Sequence, residues 1–364
     1  MRGVRLRRLL SGTLAGIASA AIFFFLVEGI FSTLVALSMI FPRHRIAERF
    51  HTHFDEVLGW VNTPAVSIPD LYGPGKHLKI NSQGFRADQE VYAPAPPHGK
   101  RLICSGDSFT LGYGVGNLHT WCHLLSVRSR VPLETVNMGQ GGYGVDQVYL
   151  WFRRDAGPLS YDIHLFAFVA GDFERMLDDE FSGYAKPVVG IVDGRIAVLN
   201  APLPRPGLLS DLRRSPFKLL AFRSVSSLFS FSRSLGEKEA SLALRSQQQA
   251  QVVARIFEEL RGINASKGAA LVAVHLPLRR EYRDGHLSPE RAFLRGELER
   301  QAIPYWDLLP EFQALQEAEF SALFIPTHDP VTEQFPGAGG HYNEAGNAAV
   351  AGSLLRRLET AGLL

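Results

Sequence analysis

Cysteine is scarce in this chain, and its scarcity excludes two classes of protein. Among 364 residues only Cys104 and Cys122 are cysteines, too few for a fold held together by disulfides. Neither has a histidine or a second cysteine at the spacing of a zinc site, so no metal is expected. Both lie in apolar surroundings, which favours buried thiols, with a Cys104–Cys122 bridge as the alternative.

An excess of positive charge is also missing. The formal net charge is +2, from 38 basic and 36 acidic residues that are interspersed along the chain. No basic stripe with interleaved aromatic residues is present, so nucleic acid is not an expected partner. The chain is 46% hydrophobic and 20% charged, which is typical of a globular protein with a buried core rather than of a disordered one.

One long apolar run stands near the N-terminus. Residues 12–41 contain a single ionisable residue, Glu28, and the run exceeds the ~20 apolar residues that cross a bilayer. A cleavable signal peptide has a shorter apolar region of about 7–15 residues. Ala18-Ser19-Ala20 has the form of a cleavage site, but further apolar sequence follows it. The run therefore predicts an uncleaved transmembrane anchor over residues 1–45.

Charges beside the anchor predict its orientation. The arginines before the run outnumber those after it, which Glu48 partly offsets, and this bias favours a cytoplasmic N-terminus with the rest of the chain outside the cytoplasm, in the periplasm of a Gram-negative cell. Glu28 lies within the predicted span, where an ionised carboxylate facing lipid is costly. We therefore expect Glu28 to face a membrane-protein partner or to be protonated.

From residue 101 onward, short apolar runs alternate with amphipathic segments. This alternation predicts an α/β fold with a parallel sheet covered by helices on both faces, a flavodoxin-like three-layer α/β/α sandwich. The predicted strands are Leu102–Cys104, Thr135–Met138, Ile163–Val169, Ala269–His275 and Pro304–Leu308. The predicted helices fall near residues 120–127, 144–155, 240–263, 288–301 and 343–360.

Two segments do not follow the alternation. Residues 46–100 are rich in proline, glycine and aromatics without a sustained period, which predicts an extended N-terminal extension on the surface of the main domain. Residues 173–238 contain Asp193-Gly194 between apolar runs, a strong hairpin signal. These residues predict a cap inserted into a domain that spans residues 101–364.

A serine follows the first predicted strand of the sheet. Gly106-Asp107-Ser108 forms a turn at the carboxyl edge, where open α/β sheets bind ligands. The hydroxyl is a nucleophile only if a base removes its proton and donors stabilise the oxyanion. An isolated Gly-Asp-Ser more often marks a helix N-cap than a nucleophile.

Two further elements supply those groups. Gly139-Gln140-Gly141-Gly142 follows the second strand, and the Gly142 N–H is a candidate oxyanion donor beside that of Ser108. Its spacing does not match a dinucleotide-binding loop, so no cofactor is expected. His341 precedes the last predicted helix, on the same edge of the sheet as Ser108, and is the candidate base.

Together, these three elements resemble the SGNH/GDSL hydrolase superfamily, whose members are esterases, lipases, deacetylases and O-acyltransferases. The resemblance covers roughly residues 101–364. It implies Ser108 as the nucleophile, His341 as the base and Asp107 as a residue that braces the turn. Upstream, Leu58-Gly59-Trp60 and residues 80–86 resemble the membrane-tethered, extracytoplasmic branch that is associated with surface polysaccharides.

The sequence departs from the family at two positions. After the third strand, Gly171 stands where the family has an oxyanion-hole asparagine. Either the Gly171 N–H replaces that donor, or Asp172 is protonated and donates a hydrogen bond, or Asp172 turns away. The acid that usually precedes the histidine is also absent. Asp329 is the expected replacement, with Glu333 second, and the alternative role of Asp329 is a turn before Pro330.

The resemblance implies an esterase or deacylase that acts on an extracytoplasmic ester, such as an O-acylated carbohydrate. An O-acyltransferase of a surface polysaccharide is the first alternative. The second is a catalytically inactive domain that binds a glycan or a protein partner.

Overall fold

The computed structural model describes residues 2–40, 48–181, 184–206, 236–283, 289–326, 328 and 335–364. The chain divides into two compact units. The N-terminal helix belongs to one, and the described residues of Ile46–Leu203 and Arg245–Leu364 form the other.

The strands are short, as expected for a fold of this size. In chain order they are β1 (Thr52–Asp55), β2 (Gly59–Asn62), β3 (Ser67–Ile68), β4 (Leu78–Lys79), β5 (Lys100–Gly106), β6 (Leu133–Gly139), β7 (Ile163–Phe168), β8 (Glu180–Phe181), β9 (Tyr184–Ala185), β10 (Val189–Val192), β11 (Arg195–Val198), β12 (Ala270–His275) and β13 (Tyr305–Asp307).

The helices range from a single turn to the long N-terminal helix. They are α1 (Arg2–Ile40), α2 (Glu48–His51), α3 (Ser108–Leu111), α4 (Trp121–Arg128), α5 (Val145–Asp155), α6 (Gly171–Arg175), α7 (Gly236–Ser266), α8 (Pro289–Arg300), α9 (Leu309–Gln313), α10 (Glu317–Ser321) and α11 (Glu344–Thr360). Short 3₁₀ turns cover Asn117–His119, Arg279–Tyr282 and Pro336–Ala338.

Helix α1 contains the predicted membrane span. Its segment Gly12–Leu34 is long and apolar enough to cross a bilayer, with a mean hydropathy of 2.1. Most of its large apolar side chains are exposed, which fits a membrane anchor and a signal sequence alike. Glu28, in contrast, is buried and is not free of interactions.

Five parallel strands form the central sheet, in the order β13-β12-β7-β5-β6. Each corresponds to one of the predicted strands, and the predicted helices are α4, α5, α7, α8 and α11. When the five strands are numbered by their order in the chain, they follow one another across the sheet as 2-1-3-4-5. This is the flavodoxin-like arrangement, which opens a ligand-binding crevice between the first and third strands. Here that crevice lies between the ends of β5 and β7. The α/β prediction is confirmed.

Side chains of the sheet alternate between two apolar layers. Ile103 and Phe166 pack into one cluster with helices α5 and α7, while Leu102, Cys104 and Leu165 pack into the other with α4 and α11. A parallel sheet that is buried on both faces requires this near-continuous apolar sequence.

The N-terminal extension takes part in the core instead of lying on the surface. Trp60 is fully buried; its Nε1 donates to the Gly141 carbonyl at 2.8 Å, and its own carbonyl accepts from the Tyr143 hydroxyl at 2.5 Å. Arg86 is also buried and donates to the carbonyls of Gly112 and Val115. The extension thus holds both the glycine-rich loop and the turn that follows α3.

Within the predicted cap, Asp193-Gly194 turns a hairpin. Strands β10 and β11 pair antiparallel on either side of it, with Val192 opposite Arg195, so this prediction is confirmed. Lys186, directly after β9, is fully buried and lies 3.3 Å from the equally buried Asp146 of α5. The ion pair attaches the cap to the main domain. Residues 207–235 of the cap are outside the described residues.

The two cysteines are joined. Cys104 of β5 and Cys122 of α4 form a disulfide, which corrects the preference for buried thiols. Apolar surroundings suit both states of cysteine, so the sequence alone favoured the wrong one. The decisive factor is the packing of α4 against this face of the sheet, which brings the two Cα atoms to 6.2 Å, within bridging range.

Candidate active site

Ser108 lies where the first strand of the sheet ends. Strand β5 stops at Gly106, and the Asp107 side chain accepts from the Phe109 N–H at 2.9 Å, capping the short helix that Ser108 opens. A Cβ at Gly106 would stand 2.1 Å from Oγ1 of Thr110. Only glycine allows so tight a strand-to-helix turn, which sets the position of the Ser108 hydroxyl at the crevice.

His341 lies within hydrogen-bond reach of that hydroxyl. The distance from Ser108 Oγ to His341 Nε2 is 2.7 Å, although 233 positions separate the residues in sequence. His341 Nδ1 lies 3.3 Å from the Ala338 carbonyl. This network assigns the neutral tautomer in which Nδ1–H donates to Ala338 and Nε2 accepts from Ser108.

The charge state of His341 suits a base. Burial lowers its pKa from 6.5 to about 4, although the nearby carboxylate of Asp107 acts in the opposite direction. The imidazole is therefore neutral at neutral pH and can accept a proton. The rings of Phe109 and Tyr113 flank it, with centroids at 4.5 and 5.2 Å, and fix its orientation.

The glycine-rich loop after β6 approaches the same point. Gly142 has φ +74°, and a Cβ there would stand 2.2 Å from the ring of Phe181 in the cap, so no other residue fits. Gly141, beside it, is held by Trp60. Within the described part of the chain, the amide N–H groups of Ser108, Gly142 and Gly171 donate to no acceptor. Unengaged amides are what an oxyanion hole requires.

Asp172 has both carboxyl oxygens engaged. One accepts from the Val169 N–H at 3.0 Å, and the other contacts Arg175. Burial, reinforced by the charge of Asp107, raises the pKa of Asp172 well above its usual range, so its protonated form is favoured. Of the three arrangements considered from the sequence, the structure shows an Asp172 that is turned toward its own helix and a Gly171 N–H that has no acceptor among the described residues.

Arg175 completes this cluster, and sequence reasoning missed it. Its Nη1 lies 3.3 Å from Oδ2 of Asp107 and donates to the Tyr143 carbonyl at 3.1 Å. The guanidinium therefore lies between the neighbours of Ser108 and Gly142. The sequence does contain a signal for this role. Arg175 is a basic residue four positions after Gly171, which places both residues on one helical turn.

Within the described residues no carboxylate contacts Nδ1 of His341, which faces the Ala338 carbonyl. Asp329 and Glu333, the predicted acids, lie outside the described residues. No group of three or more histidine, cysteine, aspartate or glutamate side chains suited to a metal occurs in the part of the chain that was placed.

The structure is similar to solved lipolytic proteins of the G-D-S-L family. One from Veillonella parvula matches 70% of this chain and 96% of its own length, with 14% identity and a TM-score of 0.38. A lipase/acylhydrolase from Enterococcus faecalis matches 72% and 96%, with 10% identity and a TM-score of 0.37.

A two-domain esterase that is active on acetylated mannans matches 74% of this chain and 50% of its own length, with 11% identity and a TM-score of 0.39. No protein-family model and no curated protein sequence matches the chain.

A second serine–histidine pair lies inside the sheet. Ser105 Oγ is 2.7 Å from His164 Nε2, and both residues are buried, at 1% and 0% exposure. Phe152 stacks on the imidazole at 3.8 Å, and burial lowers the pKa of His164 to about 3. No substrate reaches a side chain enclosed in this way, so the pair satisfies two buried polar groups. The sequence offered no signal for it.

Proposed function

We propose that this chain is a serine esterase or deacylase that acts on an ester outside the cytoplasm, with an O-acylated carbohydrate as the expected substrate class. The observation that carries the proposal is the 2.7 Å contact between Ser108 Oγ and His341 Nε2. A neutral imidazole, free amides and a crevice between β5 and β7 accompany it.

The proposed chemistry proceeds in two halves. Ser108 Oγ attacks the ester carbonyl while His341 Nε2 takes its proton, and the amides of Ser108, Gly142 and Gly171 stabilise the oxyanion. His341 returns the proton to the departing alcohol. Water then attacks the acyl–Ser108 ester, with His341 again as base, and releases the acid and the free serine. Asp107, Asp172 and Arg175 hold the turn and loop that supply the donors.

We propose Asp329 as the acid that orients His341, with Glu333 as the second candidate. In this role the carboxylate accepts from Nδ1–H and stabilises the imidazolium. His341 retains a backbone carbonyl partner, so a serine–histidine dyad without the acid would still work at a lower rate.

We further propose that α1 anchors the enzyme, with its N-terminus in the cytoplasm and the α/β domain outside. The length and hydropathy of Gly12–Leu34 support the anchor. The Cys104–Cys122 disulfide supports the compartment, because disulfides persist in oxidising surroundings. A membrane-protein partner that contacts Glu28 belongs to this proposal and is tested by pull-down with Glu28→Leu.

The test uses the full-length protein in detergent micelles and a serine-directed fluorophosphonate. Covalent labelling that maps to Ser108, is lost in Ser108→Ala and persists in Ser105→Ala is the expected result. Absence of labelling in the folded protein, together with no turnover of p-nitrophenyl acetate, would contradict the proposal and favour a glycan- or partner-binding domain. Recovery of the acyl group on an added sugar would identify the O-acyltransferase instead.

A further inference from the structure

Two guanidinium groups converge on the space beside Gly171. A Cβ built on this glycine stands 3.8 Å from Nη2 of Arg175 and 3.8 Å from Nη2 of Arg280. Among the described residues, these are the atoms within 4 Å of that position. The two Nη2 atoms therefore lie at most twice 3.8 Å apart. Because Gly171 has no side chain, the space between them is open.

Like charges this close repel each other unless something compensates them. Arg175 is compensated through Nη1, which contacts Asp107, Asp172 and the Tyr143 carbonyl. Its Nη2 makes no hydrogen bond within the described residues.

Arg280 has no such compensation. It is exposed on the 3₁₀ turn after β12 and makes no hydrogen bond or ion pair with any described residue. Its neighbour Glu281 is already engaged, with Oε1 3.3 Å from the buried His275 and Oε2 accepting from the Leu278 N–H at 2.7 Å. Among the described residues, Arg280 therefore lies near a second guanidinium without a carboxylate partner of its own, which makes this gap electropositive.

The gap belongs to the crevice of the proposed active site. Gly171 follows β7 and Ser108 follows β5, the two neighbouring strands between which the sheet order reverses. Arg175 ties the two sides together, since it contacts the residue before Ser108 and the residue after Gly142. A group that enters between Arg175 and Arg280 therefore lies next to an ester bound at Ser108.

We propose that Arg175 Nη2 and Arg280 Nη2 form an anion subsite, so that the preferred substrate is an ester whose acyl or alcohol part carries a carboxylate. This inference rests on the proposed function and adds the charge of its substrate. A planar guanidinium matches a carboxylate with two parallel hydrogen bonds. The absence of a side chain at Gly171 is what leaves room for that carboxylate.

The test compares three chromogenic esters on the full-length protein in detergent micelles. 2-Nitrophenyl acetate is neutral, 4-acetoxy-3-nitrobenzoate carries a carboxylate on the alcohol part, and 4-nitrophenyl hydrogen succinate carries it on the acyl part. The variant is Arg280→Gln, and the matched control is Arg279→Gln, which removes the same charge one residue away. Each variant is compared with the unmodified protein on the same ester, so intrinsic reactivity cancels.

We expect Arg280→Gln to lower kcat/KM for one of the two anionic esters about tenfold, through KM, and to leave the neutral ester unchanged. Which anionic ester responds identifies the part of the substrate that carries the charge. Arg279→Gln should leave all three unchanged, and the preference should weaken with added salt. Equal effects of Arg280→Gln on all three esters, or no effect on either anionic ester, would overturn the subsite.

A binding measurement separates this inference from the proposed function. Ser108→Ala protein is titrated with 4-acetoxy-3-nitrobenzoate and with 4-nitrophenyl hydrogen succinate by calorimetry, and the titrations are repeated with Arg280→Gln added. Binding that depends on Arg280 supports the subsite even if no ester is turned over, in which case only the catalytic proposal fails. Turnover of esters with binding that does not depend on Arg280 would overturn the subsite and leave the catalytic proposal standing.

Discussion

Two serine–histidine pairs occur three residues apart on one strand and turn. They share a short contact and a buried serine, at 1% exposure for Ser105 and 4% for Ser108, but their histidines have different surroundings. In both, serine Oγ lies 2.7 Å from histidine Nε2. Ser105 points into the helix-covered layer of the sheet, where His164 is fully buried. Ser108 stands past the end of the strand, beside a partly exposed His341 and free amides. A short Ser–His distance therefore identifies a hydrogen bond, and the surroundings decide whether it can react.

Electrostatics separates the pairs further. Burial lowers the pKa of both imidazoles, to about 3 for His164 and about 4 for His341. The group beside Nδ1 of His164 is the neutral amide of Asn264, at 3.2 Å. His341 instead has the carboxylate of Asp107 close enough to raise its pKa. Burial thus disfavours the imidazolium in both pairs, and at His341 the charge of Asp107 offsets part of that cost.

The largest expected effect on activity comes from removing the serine hydroxyl of each pair in turn. Ser108→Ala should lower kcat for p-nitrophenyl acetate by about 10⁴-fold or more, because Ser108 carries the hydroxyl that contacts His341 among the described residues. Ser105→Ala should leave kcat within about twofold. Steady-state kinetics on both purified variants checks this. A similar loss in both would mean that the buried pair contributes to catalysis, and the contrast between the pairs would be wrong.

The sequence predicts the Ser108 site but not the Ser105–His164 pair, because a local sequence pattern contains information about the first and not about the second. Ser108, Gly142 and His341 each follow a strand and lie beside a turn or a helix start, so parallel topology brings them to one edge. The alternation of apolar and amphipathic segments also predicts the five strands and five helices of the α/β domain. Ser105 and His164 lie diagonally across the neighbouring strands β5 and β7. Ile103 is the residue opposite His164, and Ser105 is opposite Phe166, so only the pairing of these strands brings the serine and the histidine together.

The remaining errors and omissions have the same origin. Whether Cys104 and Cys122 are bridged depends on how α4 packs on the sheet, which no local pattern encodes. Arg175 lies on helix α6 and acquires its position from contacts with Asp107 and the Tyr143 carbonyl, which lie on two different loops. Trp60 looked like part of a surface extension because its core contacts are with residues more than 80 positions away.

The two histidines are also expected to differ in the group that contacts Nδ1, and this difference can be tested. If Asp329 is the acid, Asp329→Asn should lower kcat about 10²–10⁴-fold, since the imidazole then loses its orientation and charge stabilisation. Glu333→Gln is the matched control and should have little effect. A rate unchanged by Asp329→Asn and lowered by Glu333→Gln would exchange their roles, and no change in either would leave a dyad.

The pH dependence of activity tests the environment of His341 alone, because His164 does not take part. Only the neutral imidazole accepts the Ser108 proton, so kcat/KM should be constant from pH 7 down to about 5. It should then fall tenfold per pH unit below a midpoint near 4, the lowered pKa of His341 in the free enzyme. Return of each sample to pH 7 before a second assay controls for unfolding. A midpoint near 6.5 would mean that the imidazole is solvated.

The smallest expected effect is on the free energy of unfolding, where Ser105→Ala should cost more than Ser108→Ala. Ser105→Ala removes the hydrogen-bond partner of His164 Nε2 in a fully buried layer of the sheet, and a buried polar group left without a partner costs about 1–3 kcal/mol. Ser108→Ala should cost less than about 1 kcal/mol, because His341 is partly exposed and water can replace the hydroxyl. Urea unfolding followed by tryptophan fluorescence measures both differences. Equal destabilisation by the two variants would mean that Ser108 is enclosed like Ser105, and an enclosed hydroxyl cannot be a nucleophile.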